Sequence, residues 1–547
     1  MDATDTTPTH AGAAAQEPAR FDAVIIGAGF AGLYMLHRLR GMGLAARVIE
    51  AAGDVGGVWY WNRYPGARCD VESLQYSYSF SSALEQEWVW SERYAGQTEI
   101  LRYIRHVAER FDLRGDITFG ARVLSAAFDE KESRWNLATD TGLALSARFC
   151  IMATGALSIA RLPDLPGMER FTGRVCHTGA WPHEGVDFSG LAAGVIGTGS
   201  SGIQVIPAIA QQARHVTVFQ RTANFSIPAW NTPLQPEVQQ AWKAHYGEHR
   251  ERGRQLGTLY EFSDKAATQV SDAERRREYQ RRWDSGGVNF VHSFNDLMVD
   301  RAANDTIAEF VRERIREIVR DPQVAESLCP YDHPLGTKRI CVDTGYFETY
   351  NRDNVTLVDL KKTPIAEVVA DGIVAGTTHH KFDLLVCATG YDALSGAVLQ
   401  IDIRGRAGRT LRAKWADGPR TYLGLMTAGF PNMFMITGAG SPSVLVNMVV
   451  GIEHHVEWIC DCLAHLARHG MATIEAGSAA EDRWVAHVND AANKTLLPLA
   501  NSWFLGANIP GKPRVFMPYV ARIGTYRNEC QEVADQGYDG FILGRAG

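Results

Sequence analysis

The chain has 547 residues, 46% of them hydrophobic and 21% charged, with a formal net charge of −7. That balance belongs to a soluble globular chain of roughly three or four domain-sized units, and it supplies no basic face for nucleic acid. Nine scattered cysteines without a CxxC pair predict neither a disulfide framework nor a zinc site, and they point to a reducing compartment.

Residues 1–20 are polar and rich in Ala, Thr and Pro. With no basic start and no apolar run, they predict a disordered tail rather than a secretory signal. Residues 21–26 then read as a short apolar strand. It runs into Gly27-Ala28-Gly29-Phe30-Ala31-Gly32, a helical segment, and a second strand ending on Glu50. This is a βαβ unit with G-x-G-x-x-G at its first turn. Gly27 permits the turn, Gly29 lets backbone approach a pyrophosphate, and Gly32 lets helix and strand pack. Glu50 is expected to accept hydrogen bonds from ribose hydroxyls. Gly56, Gly57, Val58 and Trp59 follow, then Tyr64-Pro65-Gly66 and Asp70. Dense glycine beside tryptophan suits backbone wrapped around a flat ring.

A second unit starts with the strand 192–196, continues through Gly197-Thr198-Gly199-Ser200-Ser201-Gly202, and ends its next strand on Gln220. The ribose-binding acid is missing there. Arg221 and Thr222 stand instead, and a guanidinium at that place pairs with a 2′-phosphate, so this site should choose NADP over NAD. Two such sites imply hydride transfer from NADPH to a flavin. Residues 150–155 and 384–392 read as crossings between the two nucleotide domains.

Residues 231–334 carry helical spacing and many charges, and read as a helical insertion; Arg275–Arg277 are expected on a solvated helix face. Residues 421–452 are uncharged over a length that could span a membrane, but Gly429, Pro431, Gly438, Gly440 and Pro442 interrupt them. A strand, a Gly-rich turn and a buried helix is the better reading. His454, His455 and Glu457 lie within that helical pattern and predict no metal site.

Disulfide reductases share the paired-nucleotide layout but need a redox-active cysteine pair, which this sequence lacks. Oxygen chemistry at the flavin is therefore expected. Residues 171–182 fit F-x-G-x-x-x-H-T-x-x-W-P at every fixed position, with His177 as its histidine. This pattern resembles the signature of type I Baeyer–Villiger monooxygenases, and GGVWYWNRYPGARCD at 56–70 resembles that family's second motif. The likeness runs from about residue 21 onward, through VIGTGSSGIQ, GPRTYLGL and NIPGKPRVFMPY. It is strongest toward the phenylacetone and steroid monooxygenase branch and weakest over 231–334.

The resemblance implies an α/β fold of two Rossmann-like dinucleotide-binding domains, one for FAD and one for NADP, with a helical insertion in the second. The boundaries expected are 21–155 with 386–547 for FAD, 156–230 with 335–385 for NADP, and 231–334 for the insertion. Gly27, Gly29, Phe30, Gly32, Glu50, Gly57, Val58, Trp59, Asp70 and Tyr76 would hold FAD. Thr198, Gly199, Ser200, Ser201, Arg221, Thr222, Lys338 and Trp503 would hold NADPH. Arg339 would be the active-site arginine and Asp70 its supporting acid. His177 would be a hinge residue, and Ser443, Val444 and Leu445 would line the substrate pocket. The implied reaction converts a ketone and O2 to an ester or lactone through a C4a-peroxyflavin. Oxidation of amines or sulfides by a related flavin enzyme is the alternative, and a non-catalytic redox sensor is a third reading. The protein is expected in the cytoplasm as a monomer or weak homo-oligomer, with no nucleic-acid or membrane partner and no metal.

Overall fold

The computed structural model describes residues 17–545. Of the expected tail, residues 1–16 lie outside the described ones. The first strand is Ala19–Ile26, starting before the expected residue 21. Its extra residues pair with Leu145 and Ser146, a long-range contact that periodicity alone does not report.

Ala19–Ile26 is central to an eight-stranded sheet. It runs parallel to Ala46–Ile49 on one side and to Ala144–Met152 on the other. The start of Ala144–Met152 pairs antiparallel with Arg134–Thr139, and its end pairs parallel with Met433–Met435. One strand thus joins a parallel nucleotide-binding sheet to an antiparallel hairpin. A second sheet of five strands is wholly parallel, in the order Val355–Asp359, His215–Gln220, Ala192–Ile196, Leu384–Cys387, Arg174–His177. Its inner strands AAGVI and LLVC are buried along their whole length. Helices cover both faces of such sheets, so continuous apolar runs replace alternation. The fold is two Rossmann-like domains, as expected.

The two crossings touch each other. Asp392 N–H donates to the Ile159 carbonyl at 2.9 Å, and Arg161 N–H to the Gly390 carbonyl at 3.2 Å. Residues 231–334 form helices that include Asp272–Ser285 and Arg301–Ile318. These pack Tyr279, Trp283 and Phe310 into the core around the second sheet. Earlier in the segment, Leu234 and Trp242 pack on the core around the first sheet, and Arg250 pairs with Glu85 at 2.7 Å. The segment therefore bridges both domains. Residues 421–452 hold the strand Met433–Met435 and enter the helix Met448–Arg468, where His454 and His455 are buried. Among the described residues no helix is long and apolar enough to cross a membrane.

Candidate active site

The two glycine turns are built alike. Gly27 and Gly197 have φ of +108° and +106°, where an L side chain is strained. A Cβ on either would lie within 2.5 Å or 2.4 Å of a carbonyl in the crossing that follows, Ala153 and Ala388 respectively. A Cβ on Gly32 would fall 1.8 Å from the Gly27 carbonyl, and one on Gly202 2.2 Å from that of Gly197. Each turn leads into a helix, Phe30–Gly41 or Ser200–Ala210, that has no side-chain cap and no acid in its first turn. Free N–H groups and the positive end of the helix dipole then face outward, which suits a pyrophosphate.

On the first side, Gly29 and Gly57 press together: a Cβ on Gly57 would lie 3.0 Å from the Gly29 Cα. Val58 opens a single helical turn, Val58–Trp61. Trp59 Nε1–H donates to the Tyr76 hydroxyl at 3.2 Å, and Phe30 meets Tyr76 edge-on at 5.4 Å. These residues form one aromatic wall. Glu50 is buried, and its carboxylate accepts the N–H groups of Ala28 at 2.6 Å and Ala52 at 2.7 Å. Burial raises its pKa, with the backbone bonds opposing. Glu50 thus pins the glycine turn itself. A carboxylate has about four acceptor sites, so it keeps capacity for a ribose.

On the second side, Thr198 is buried and its hydroxyl donates to the Thr222 carbonyl at 2.9 Å, fixing the strand end that carries Arg221. Gly199 and Ser200 are exposed, and Ser201 is half-buried. Arg221 and Lys338 make no ion pair among the described residues. Burial lowers the Lys338 pKa, Asp332 opposes this, and the charges of Arg221 and Lys361 lower it further. Two cations that repel each other, one exposed and one half-buried, fit a shared anionic group.

Arg339 meets Asp70 in a bidentate pair. Nε donates to Oδ2 at 2.6 Å and Nη2 to Oδ1 at 2.8 Å, while Nη1 donates to the Val444 carbonyl at 2.6 Å. Their side chains are 30% and 21% exposed, so the pair is shielded but open on one face. Burial would raise Asp70 and lower Arg339; each partner's charge outweighs that and holds both ionised. Ser443 and Val444 are buried in the turn Ser443–Leu445. Trp503 packs in one apolar cluster with Val444 and Leu445. The structure therefore brings Arg339, Asp70 and the turn to one place, and Trp503 packs against the apolar cluster that holds Val444.

His177 is buried and accepts the Gly179 N–H on Nδ1 at 2.9 Å, with Nε2 3.2 Å from the Arg161 carbonyl. Burial lowers its pKa, and Nε2 also lies 3.4 Å from the Thr389 hydroxyl, so the ring touches both crossings. Tyr260 was missed in the sequence. It belongs to 231–334, and its hydroxyl, pushed well up by burial, lies within electrostatic reach of Asp70 and Arg339. The aromatic break GTLYEF between charged helical runs was its one signal. All nine cysteines are buried free thiols, and among the described residues no cluster is arranged to hold a metal.

A family model described as pyridine nucleotide-disulphide oxidoreductase matches residues 24–275. The chain is 43% identical over 533 residues to a Baeyer–Villiger monooxygenase of Pseudooceanicola batsensis, covering 96% of this chain and 97% of that protein. It is equally 43% identical, over 533 residues and the same shares, to a phenazine N-monooxygenase of Lysobacter antibioticus. A solved structure of oxidised steroid monooxygenase bound to NADP matches with a TM-score of 0.92 at 53% identity, covering 96% of this chain and 100% of that one. With the paired glycine turns and near-full-length likeness together, this chain belongs to the Baeyer–Villiger monooxygenases.

Proposed function

We propose that the protein converts a ketone to an ester or lactone with FAD, NADPH and O2. The observation that carries this reading is the bidentate Arg339–Asp70 pair whose third N–H reaches the Val444 carbonyl. FAD would be held by Gly27, Gly29, Phe30, Gly32, Glu50, Gly57, Val58, Trp59 and Tyr76. NADPH would be held by Thr198, Gly199, Ser200, Ser201, Thr222 and Trp503, with its 2′-phosphate between Arg221 and Lys338. Bound together, the two cofactors supply hydride transfer and reductive activation of dioxygen.

The chain's own part is electrostatic. Arg339 keeps its proton at every working pH and offers a fixed positive charge to oxygen that turns anionic as the ketone carbonyl is attacked. Asp70 orients the guanidinium and balances its charge while the ketone is absent. Ser443, Val444, Leu445 and Trp503 wall the site and exclude water. Residues 21–155 with 386–547 would form the FAD domain and 156–230 with 335–385 the NADP domain. The buried thiols support a reducing compartment, the cytoplasm.

The likeness to a phenazine N-monooxygenase favours a second reading, oxidation at nitrogen. Electrophilic oxygen transfer has no use for a fixed cation beside the acceptor, whereas attack on a carbonyl does. A ketone panel with gas-chromatographic product analysis decides the matter. NADPH consumption that depends on ketone and yields ester supports the proposal; N-oxide from an amine without any ester rejects it.

A further inference from the structure

The turn Ser443–Leu445 hangs on strained backbone. Leu423, Thr437 and Ser443 have φ of +57°, +54° and +43°, a region that branched and bulky residues rarely adopt. The loops that bear them cross closely. A Cβ on Gly424 would lie 2.6 Å from Ser441 N, and one on Gly438 2.5 Å from the Gly424 carbonyl. Such conformations persist only where the surroundings over-determine them.

We infer that His455, acting with Tyr526, is a positioning residue that clamps both loops and thereby holds the Val444 carbonyl on Arg339. The Thr437 N–H donates to His455 Nδ1 at 3.0 Å. A neutral imidazole that accepts on Nδ1 carries its proton on Nε2. That Nε2–H donates to the Tyr526 hydroxyl 2.7 Å away, and the hydroxyl donates to the Leu423 carbonyl. Every donor in the chain meets one acceptor, so the network closes in one direction only. His455 is 1% and Tyr526 0% exposed, so both links of the network lie in the core. From Thr437 the connection continues: its carbonyl accepts the Ser443 hydroxyl at 3.2 Å, and the next residue's carbonyl accepts Arg339 Nη1 at 2.6 Å. Two strained loops are thus fastened to two helices, Met448–Arg468 and Ile523–Asp535, by one histidine and one tyrosine.

The inference rests on the assignment of Arg339 and Ser443–Leu445 to the ketone site, so its test has two readouts. Three variants are compared as FAD-loaded enzyme. His455→Leu removes acceptor and donor, His455→Asn keeps an acceptor near the place of Nδ1, and Tyr526→Phe keeps the ring without the bridge. Backbone hydrogen exchange over residues 436–446, followed by mass spectrometry, should quicken about ten-fold in His455→Leu and Tyr526→Phe, and by less than about two-fold in His455→Asn. Ester formed per NADPH consumed should fall about three-fold or more in the first two and hold in the third. Should His455→Leu not fold, the other two variants decide. Unchanged exchange in Tyr526→Phe, or exchange in His455→Asn as fast as in Tyr526→Phe, overturns the inference. Faster exchange with unchanged coupling keeps the clamp and overturns the assignment of the turn to the ketone site.

Discussion

Arg339 and Asp70 stand 269 residues apart in the chain and meet through two N–H···O bonds of 2.6 and 2.8 Å. A bidentate pair fixes the guanidinium plane as well as its charge. The third donor goes to the Val444 carbonyl in the turn Ser443–Leu445, so the cation cannot swing away without breaking three bonds.

Arg339→Ala is expected to keep flavin reduction by NADPH and to lose ester formation by about 100-fold or more, the scale of a lost oxyanion donor. Stopped-flow absorbance follows the first and gas chromatography the second. Ester formation near the parent rate would show the role to be wrong.

The same pair sets a pH expectation. Burial would raise the Asp70 carboxyl, and Arg339 outweighs this and holds it below its usual range. A depressed carboxyl contributes stability above its unfolded pKa of about 3.9, and loses it as pH falls through the lower folded value. The ion pair therefore stays formed from about pH 4 upward. An acid limb in the rate profile above about pH 5 belongs to another group and should survive in Asp70→Asn.

Arg221→Ala should raise the KM for NADPH by about ten-fold or more, the worth of one charge-assisted contact, and leave that for NADH nearly unchanged. The ratio of kcat/KM for the two cofactors measures it. An unaltered ratio rejects the 2′-phosphate contact.

Gly199 and Gly202 separate binding from folding. A Cβ on Gly199 meets nothing within 4 Å, whereas one on Gly202 would sit 2.2 Å from the Gly197 carbonyl. Gly199→Ala should therefore melt like the parent and bind NADPH more weakly. Gly202→Ala should lower the melting temperature or fail to fold. Equal melting of the two variants would contradict the packing described.

Asp343 offers a stability test away from the site. Burial pushes its carboxyl up to about 6 against the hydrogen bonds that lower it. The native state then binds its proton more tightly than the unfolded chain, so stability falls as pH rises from about 4 to about 6 and stays lowered above. Asn at this position still accepts the N–H groups of Gly345 and Tyr346, both at 3.1 Å. Asp343→Asn should gain more in Tm at pH 8 than at pH 5, by roughly 2–4 °C for each kcal/mol recovered. Equal gains at both values would rule this out.

The two nucleotide turns were legible because their causes are local. A strand, a positive-φ glycine and a helix N-terminus follow each other within a few residues, and the steric demand at Gly27 or Gly197 is written into the residue type. Residue type likewise distinguished Glu50 from Arg221. Even here tertiary structure added something: the Glu50 carboxylate, expected only at a ribose, also accepts the Ala28 N–H of the glycine turn and the N–H of Ala52 just after it. Arg339, Asp70 and the turn Ser443–Leu445 were named through likeness to a family, since nothing in their spacing brings them together. Their meeting depends on two domains closing against each other over hundreds of residues. The same holds for Tyr260 within electrostatic reach of Asp70 and for His455 under Thr437. Local sterics and periodicity act over about ten residues and are readable in a single chain; contacts paid for by long loop closure exist only once the whole core has packed.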